Sequence, residues 1–157
     1  MQEKLELKIV VDTREQLPLN IKNIPTERGT LMSGDYSIKG LENRFAVERK
    51  SIQDLIGSLT QGRERFEREL HRLRGFDFAR LLIVGSKDEL RECLKKRKTT
   101  ERSIYASLGT FEARYRVPIV WLNTEQQAVD KLEKWAWFYY REAYRAIKAL
   151  KTPDCFL

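Results

Sequence analysis

The chain has 157 residues, 41% of them hydrophobic and 34% charged, which suits one domain with a real hydrophobic core. No apolar run approaches the ~20 residues of a membrane span, and the N-terminal stretch MQEKLELKIVVD lacks a charged-then-apolar signal pattern, so a cytoplasmic location is expected. A net charge of +7 points to a polyanionic partner, and nucleic acid is the usual one.

Residues 5–11 alternate and then turn fully apolar, as an entering core strand should, and Asp12 ends the run. Residues 13–27, with Pro18, Asn20, Asn23 and Pro25, read as a loop or a short extended piece. Two strands are expected over 34–38 and 44–50, joined by a turn at 39–43. Ser51 starts a helix, with Asp54 in the place of the usual capping-box Glu, and Ile52, Leu55, Ile56 and Leu59 form its apolar face. Gly62 interrupts before an arginine-dense helix from Glu64 to Leu73. A buried strand follows over 79–84, then a short helix over 87–94, the basic run Lys95-Lys96-Arg97-Lys98, and a helix over 101–115. A strand over 117–122 leads to a long helix that Thr124 caps and that runs to about Lys151. Strands first, then alternating helix and strand, imply an α/β or α+β sheet carrying packed helices.

Cys93 and Cys155 have no second Cys or His at metal-ligand spacing, so two reduced thiols are expected and a zinc site is not. The single histidine, His71, falls in the arginine-rich helix and suits a surface role.

Three acidic residues, Asp12, Asp35 and Glu48, sit where strands end or meet. Alternate strand residues share a face, so Glu48 and Lys50 project together while Val47 and Arg49 point the other way. Tyr36 and Ile38 face the core and leave Asp35 and Ser37 on the opposite side. Pairing through the 39–43 turn lets Asp35 and Glu48 converge with Lys50 beside them. Converging carboxylates repel unless a cation holds them, and an all-oxygen ligand set favours Mg²⁺ or Mn²⁺. Such an ion polarises a phosphoryl oxygen and activates water, while a neighbouring lysine positions that water or stabilises developing charge. The parts suit phosphodiester hydrolysis. The same acidic pattern also arises by chance in strands, Asp54 is as well explained as a cap residue, and Gly34 as a turn residue.

Gly34-Asp35-Tyr36, a spacer, and then Glu48-Arg49-Lys50 with Asp54 resemble the GDX…ERKXXXD signature of the XPF family of structure-specific nucleases at each fixed position. Val11-Asp12-Thr13-Arg14-Glu15 looks like that family's VDxRE strand end, and Ser58-Leu59 with Gly62-Arg63 like the segment after its motif. The resemblance runs from about residue 8 to 135. It implies a single α/β domain of restriction-endonuclease-like fold, the PD-(D/E)XK type, with a central mixed sheet flanked by helices. It implies Asp12, Asp35 and Glu48 as metal ligands with the Arg49 carbonyl as an extra one, Lys50 as the catalytic lysine, and Arg14, Glu15, Arg49, Asp54 and Arg63 as supporting residues. Family members cut flaps, forks and related branched DNA near single-strand/double-strand junctions, and belong to DNA repair and recombination. Many carry a tandem helix-hairpin-helix module after this domain and some a helicase before it. The 157 residues contain neither, which leaves structure selectivity open and suggests a compact microbial or phage nuclease, associated with the nucleoid, that partner proteins help direct.

For DNA grip, Arg63 and Arg65 are the phosphate candidates nearest the motif, while the interleaved Glu64, Glu67 and Glu69 suggest a solvated, salt-bridged helix. The run Lys95, Lys96, Arg97 and Lys98 has no acidic neighbour until Glu101, and reads either as a backbone clamp or as a mobile loop. The last helix carries Leu132, Trp135, Ala136, Tyr139, Ala143, Ala146, Ile147 and Leu150 on one face, with Trp137, Phe138, Tyr140 and Tyr144 beyond it. One monomer face does not easily bury them all, so the part from about 101 to 151 is expected to contribute to a homodimer. The functional expectation is a Mg²⁺-dependent DNA endonuclease. The alternatives are a catalytically silent DNA-binding scaffold subunit, against which the intact acidic motif argues, and a junction-resolvase or restriction-type nuclease of related fold.

Overall fold

A computed structural model describes residues 6–150. Leu5 of the expected first strand, Lys151 at the expected end of the last helix, and Cys155 lie outside the described residues. The elements are β1 (Ile9–Asp12), β2 (Thr26–Gly29), β3 (Tyr36–Ile38), β4 (Phe45–Ser51), α1 (Ile52–Leu59), α2 (Arg63–Leu73), β5 (Phe78–Val84), α3 (Lys87–Leu94), α4 (Glu101–Tyr115), β6 (Ile119–Leu122) and α5 (Glu125–Ala149). The strands form one mixed sheet in the order β2-β1-β3-β4-β5-β6. β1 pairs antiparallel with β3, and β3 with β4, while the β1–β2, β4–β5 and β5–β6 pairs are parallel. This is the α/β class and mixed sheet that the sequence led us to expect.

Alternation along β4 splits the core in two. Phe45 and Val47 join Ile9, Tyr36, Ile38 and Leu82 beneath α5, while Ala46 joins Leu81 and Ile83 beneath α1, α2 and α4. Glu48 and Lys50 continue the Ala46 side, and Arg49 the Val47 side. Helices α1, α3, α4 and α5 begin where side-chain oxygens satisfy free backbone N–H groups. Ser51, Ser86 and Thr100 each accept from the N–H three residues on, and Thr124 forms a full capping box with Gln127.

β2 starts at the end of the stretch 13–27, which reads in sequence as a loop or a short extended piece. Its residues, Thr-Glu-Arg-Gly, are exposed or half-exposed and carry no apolar pattern. They form a strand because β1 offers an open backbone edge, with Ile9 facing Thr26 through Asp12 facing Gly29. Asp12 is the last residue of β1. β6 begins at Ile119, two residues later than expected, because Pro118 has no N–H to donate, although its carbonyl accepts from Leu81 N–H at 3.0 Å. Beyond Ala143 the apolar face of α5 outruns its support: Ala146, Ile147 and Leu150 are exposed. A helix of 25 residues is about 38 Å long, whereas strands of seven residues span about 23 Å, so its final turns pass the sheet. Among the described residues, no helix is long and apolar enough to cross a membrane.

Candidate active site

At one end of β4, a cavity of about 590 Å³ opens between the sheet, the loop after β1, and helices α1 and α2. Asp35, Glu48 and Lys50 line it, together with Arg14, Glu15, Arg49, Asp54, Arg65 and Glu69. The convergence inferred from strand alternation is therefore present.

Backbone geometry brings the parts together. Gly34 adopts φ +81°, and a Cβ there would stand 3.2 Å from the Val47 carbonyl, so glycine lets the chain approach β4 closely. The next residue is then held from both sides. Asp35 N–H donates to the Val47 carbonyl at 2.9 Å, and the Asp35 carbonyl accepts from Asp12 N–H at 2.8 Å. Arg49 N–H donates to Asp35 Oδ2 at 2.8 Å, which ties the Asp35 side chain to the strand that carries Glu48 and Lys50.

Glu48 is 6% exposed, and its Oε1 stands 3.2 Å from Lys50 Nζ. The Lys50 ammonium also lies 3.7 Å from Glu69 Oε2 and 5.0 Å from the centre of the Phe66 ring. Burial raises the Asp35 carboxyl to about 6, with Glu15 and Glu69 adding to the rise and the Arg49 N–H opposing it. Burial, then the charges of Asp35 and Glu69, pushes Glu48 well above the usual carboxylate range. Burial works against the Lys50 ammonium, but Glu48 and Glu69 outweigh it and raise Lys50. A neutral or cation-bound state therefore relieves the two carboxylates. Among the described residues, no group of three His, Cys, Asp or Glu side chains is placed to hold a metal ion. Two carboxylates facing an open cavity still fit Mg²⁺, which keeps several waters and binds proteins through one or two carboxylates plus substrate phosphate.

The other motif residues divide into three roles. Asp12 is 1% exposed and fully engaged: Oδ1 accepts from Arg14 N–H and Nε at 2.9 and 2.7 Å, and Oδ2 from Leu31 N–H and Arg14 Nη2 at 2.8 and 3.2 Å. It is not among the residues that line the cavity, and its hydrogen bonds join the loop after β1 to the Leu31 backbone. Arg14 also donates to the Leu31 carbonyl at 2.8 Å. Arg49 sends its guanidinium to the opposite side of β4, as alternation requires, where Nη2 donates to the Leu17 carbonyl at 2.7 Å and to Glu15 at 3.3 Å. Asp54 serves two ends: its N–H donates to Ser51 Oγ at 3.2 Å, and its exposed side chain borders the cavity.

Of the DNA-grip candidates, Arg65 borders the cavity. Arg63 does not; its Nη1 donates to Ser107 Oγ at 2.9 Å and the Leu59 carbonyl at 3.3 Å, and its guanidinium covers the Phe111 ring at 4.6 Å. It braces α1 and α2 against α4. Lys95, Lys96, Arg97 and Lys98 are exposed and outside the cavity. Lys95 has an acidic neighbour after all, Glu92 at 2.6 Å, because the helical turn of α3 stacks residues three apart. Glu69 was expected as one charge of a solvated helix. It instead turns into the site, since it follows Phe66 by three residues and precedes Leu70 on the buried side of α2. That stripe was the available signal.

An ERCC4 domain model matches residues 10–134. The chain belongs to the ERCC4 domain family. Its fold is that of XPF nucleases: it superposes on XPF from Aeropyrum pernix with a TM-score of 0.72 at 21% identity, covering 94% of this chain and 68% of that one. XPF from the same organism in complex with DNA matches with a TM-score of 0.67 at 21% identity, covering 86% of this chain and 66% of the other. The chain thus spans about two thirds of those structures. No protein of curated function matches the sequence. The Gly34–Asp54 signature of this ERCC4 domain lies wholly within the matched span.

Proposed function

We propose that this ERCC4 domain is a Mg²⁺- or Mn²⁺-dependent DNA endonuclease that hydrolyses phosphodiester bonds in branched, flap or forked DNA near single-strand/double-strand junctions. The observation that carries the proposal is the pairing of half-buried Asp35 with buried Glu48, with Lys50 at 3.2 Å from Glu48, in the lining of an open cavity. Asp35 and Glu48 would hold the cation, with the Arg49 carbonyl of the same strand as a further oxygen. The bound ion supplies a polarised phosphoryl oxygen and a more acidic water. Lys50 keeps a full positive charge beside that position, orients the attacking oxygen and stabilises charge gathering on phosphorus. Arg14 and Arg65 at the rim meet flanking phosphates. Asp12 acts one step back, by fixing Arg14 and the loop before Gly34.

Homodimerisation to which the part from about 101 to 151 contributes, a role in repair or recombination, protein partners that direct DNA-structure choice, and a nucleoid-associated microbial or phage setting belong to the same reading. The choice of branched substrates follows from the resemblance to the XPF nucleases, and the DNA complex of the structural relative supports DNA as the partner. The test is a cleavage panel of hairpin, flap, fork, four-way junction and duplex DNA with Mg²⁺, Mn²⁺ or chelator. Flap or fork cleavage that chelator stops is expected, with Asp35→Ala and Glu48→Ala cutting at least 100-fold more slowly while still binding DNA. Preferred four-way-junction cutting would reassign the protein as a resolvase. DNA binding without cleavage would make it a scaffold, and full activity in either variant would refute the site.

A further inference from the structure

The Lys50 ammonium is shared between two carboxylates that reach it from different directions. Glu48 approaches along the same strand at 3.2 Å, and Glu69 approaches across the cavity from α2 at 3.7 Å. The Phe66 ring, one helical turn before Glu69, lies 5.0 Å beneath the ammonium. Residues three apart on a helix share a face, so α2 presents a ring and an anion to the same lysine. The other acids of α2 have partners elsewhere: Glu64 pairs with Arg68 at 4.0 Å, and Glu67 with Arg114 at 2.6 Å. The Glu69 side chain is 19% exposed, and a charge so far withdrawn from water needs a purpose in its surroundings.

Glu48 already meets the lysine and the Glu69 side chain, and the cation that the proposed function puts beside it makes a further claim on its oxygens. If Glu48 were the only partner, Lys50 would fold onto the carboxylate that the cation needs. A second anchor from α2 removes that competition. We infer that Glu69 is a positioning residue that holds Lys50 in place when Glu48 turns to a cation, so that α2 completes the site begun by the strand motif. The inference rests on the nuclease reading for its catalytic consequence and on geometry alone for the hold on Lys50.

The test uses the full chain with ¹⁵N-labelled lysine, and Glu69→Ala, Glu69→Gln and Glu69→Asp variants. The Lys50 ammonium signal, assigned by its loss in Lys50→Arg, reports the hold without cleavage, and kcat and KM on the best-cut substrate at saturating Mg²⁺ report the consequence. Expected are a resolved Lys50 signal in wild type and Glu69→Gln, whose amide oxygen still accepts, and loss of it in Glu69→Ala and in the shorter Glu69→Asp. Kcat should fall roughly 10- to 100-fold in the latter two, as for other residues that orient a site, with KM and melting midpoint unchanged and Glu69→Gln within about fivefold of wild type. Glu69→Asp carries the test if Glu69→Ala folds poorly. No resolved signal in wild type, a signal retained in Glu69→Ala or Glu69→Asp, or signal loss with unchanged kcat overturns the inference. So does a kcat loss that comes with a lower melting midpoint and a raised KM. If wild type does not cleave, the nuclease reading fails, and the ammonium signal alone still decides whether Glu69 holds Lys50.

Discussion

Burial raises Asp35 to about 6, and Glu48 beside it is pushed up in the same direction. Both shifts make the carboxylate pair a source of instability at neutral pH. The folded protein binds the Asp35 proton more tightly than the unfolded chain does, so stability falls as pH rises from about 4 to about 6. Asp35 alone contributes on the order of 2–3 kcal/mol over that window. Asp12 works in the opposite sense and in a different window. Its burial is outweighed by Arg14 and the Leu31 N–H, its pKa is lowered, and its contribution is lost only as pH falls below its usual range. In chelator, the unfolding midpoint should therefore peak near pH 4–5 and decline toward pH 7. Asp35→Asn should flatten that decline and melt at a higher temperature than wild type at pH 7, as should wild type with added Mg²⁺. A wild-type midpoint that rises steadily from pH 4 to pH 7 in chelator contradicts the crowded-carboxylate account.

Elements settle which charges are free for DNA. Arg63 and Arg65 are two residues apart in the same helix, yet about 200° of rotation separates them. Arg63 is spent on Ser107, Leu59 and the Phe111 ring, whereas Arg65 borders the cavity. Arg65→Ala should lower the slope of log affinity against log salt by about 1 with little change in stability. Arg63→Ala should leave that slope unaltered and destabilise the protein by about 1–3 kcal/mol, because it removes a charged hydrogen bond and a packed guanidinium. Anisotropy titrations at several salt concentrations and urea unfolding distinguish the two, and matching salt slopes for both variants would return Arg63 to the DNA surface. The arginine-rich composition of α2 hides this division, since its charges look alike until α4 is packed against one side.

For the molecule as a whole, much of the exposed apolar surface lies on and just after α5, with Leu17 and Met32 exposed in loops. On α5, Trp137 is 43% and Phe138 51% exposed, and β6 forms an edge of the sheet with four half-buried residues. Open strand edges and exposed aromatics are where proteins associate. A homodimer in sedimentation equilibrium is expected, and Trp137→Glu with Phe138→Glu should turn it into a folded monomer. A wild type that is monomeric at 100 times the assay concentration would remove dimerisation from the proposed function.

Local order determined most of this protein from sequence alone. Caps at Ser51 and Thr124, the alternation of Phe45 to Lys50 and the apolar stripes of α1 and α2 act over a few residues, so element types, the two faces of β4 and the meeting of Asp35, Glu48 and Lys50 were legible. Tertiary structure decided whatever depends on a distant partner. β2 exists because β1 has a free edge, Asp12 is committed to Arg14 and Leu31, and Arg63 is claimed by α4. Glu69 enters the site because α2 lies across the end of β4. A charged or polar residue has no intrinsic preference among water, a neighbouring helix and a lysine on another strand. That choice is made by the contacts that packing leaves within its reach.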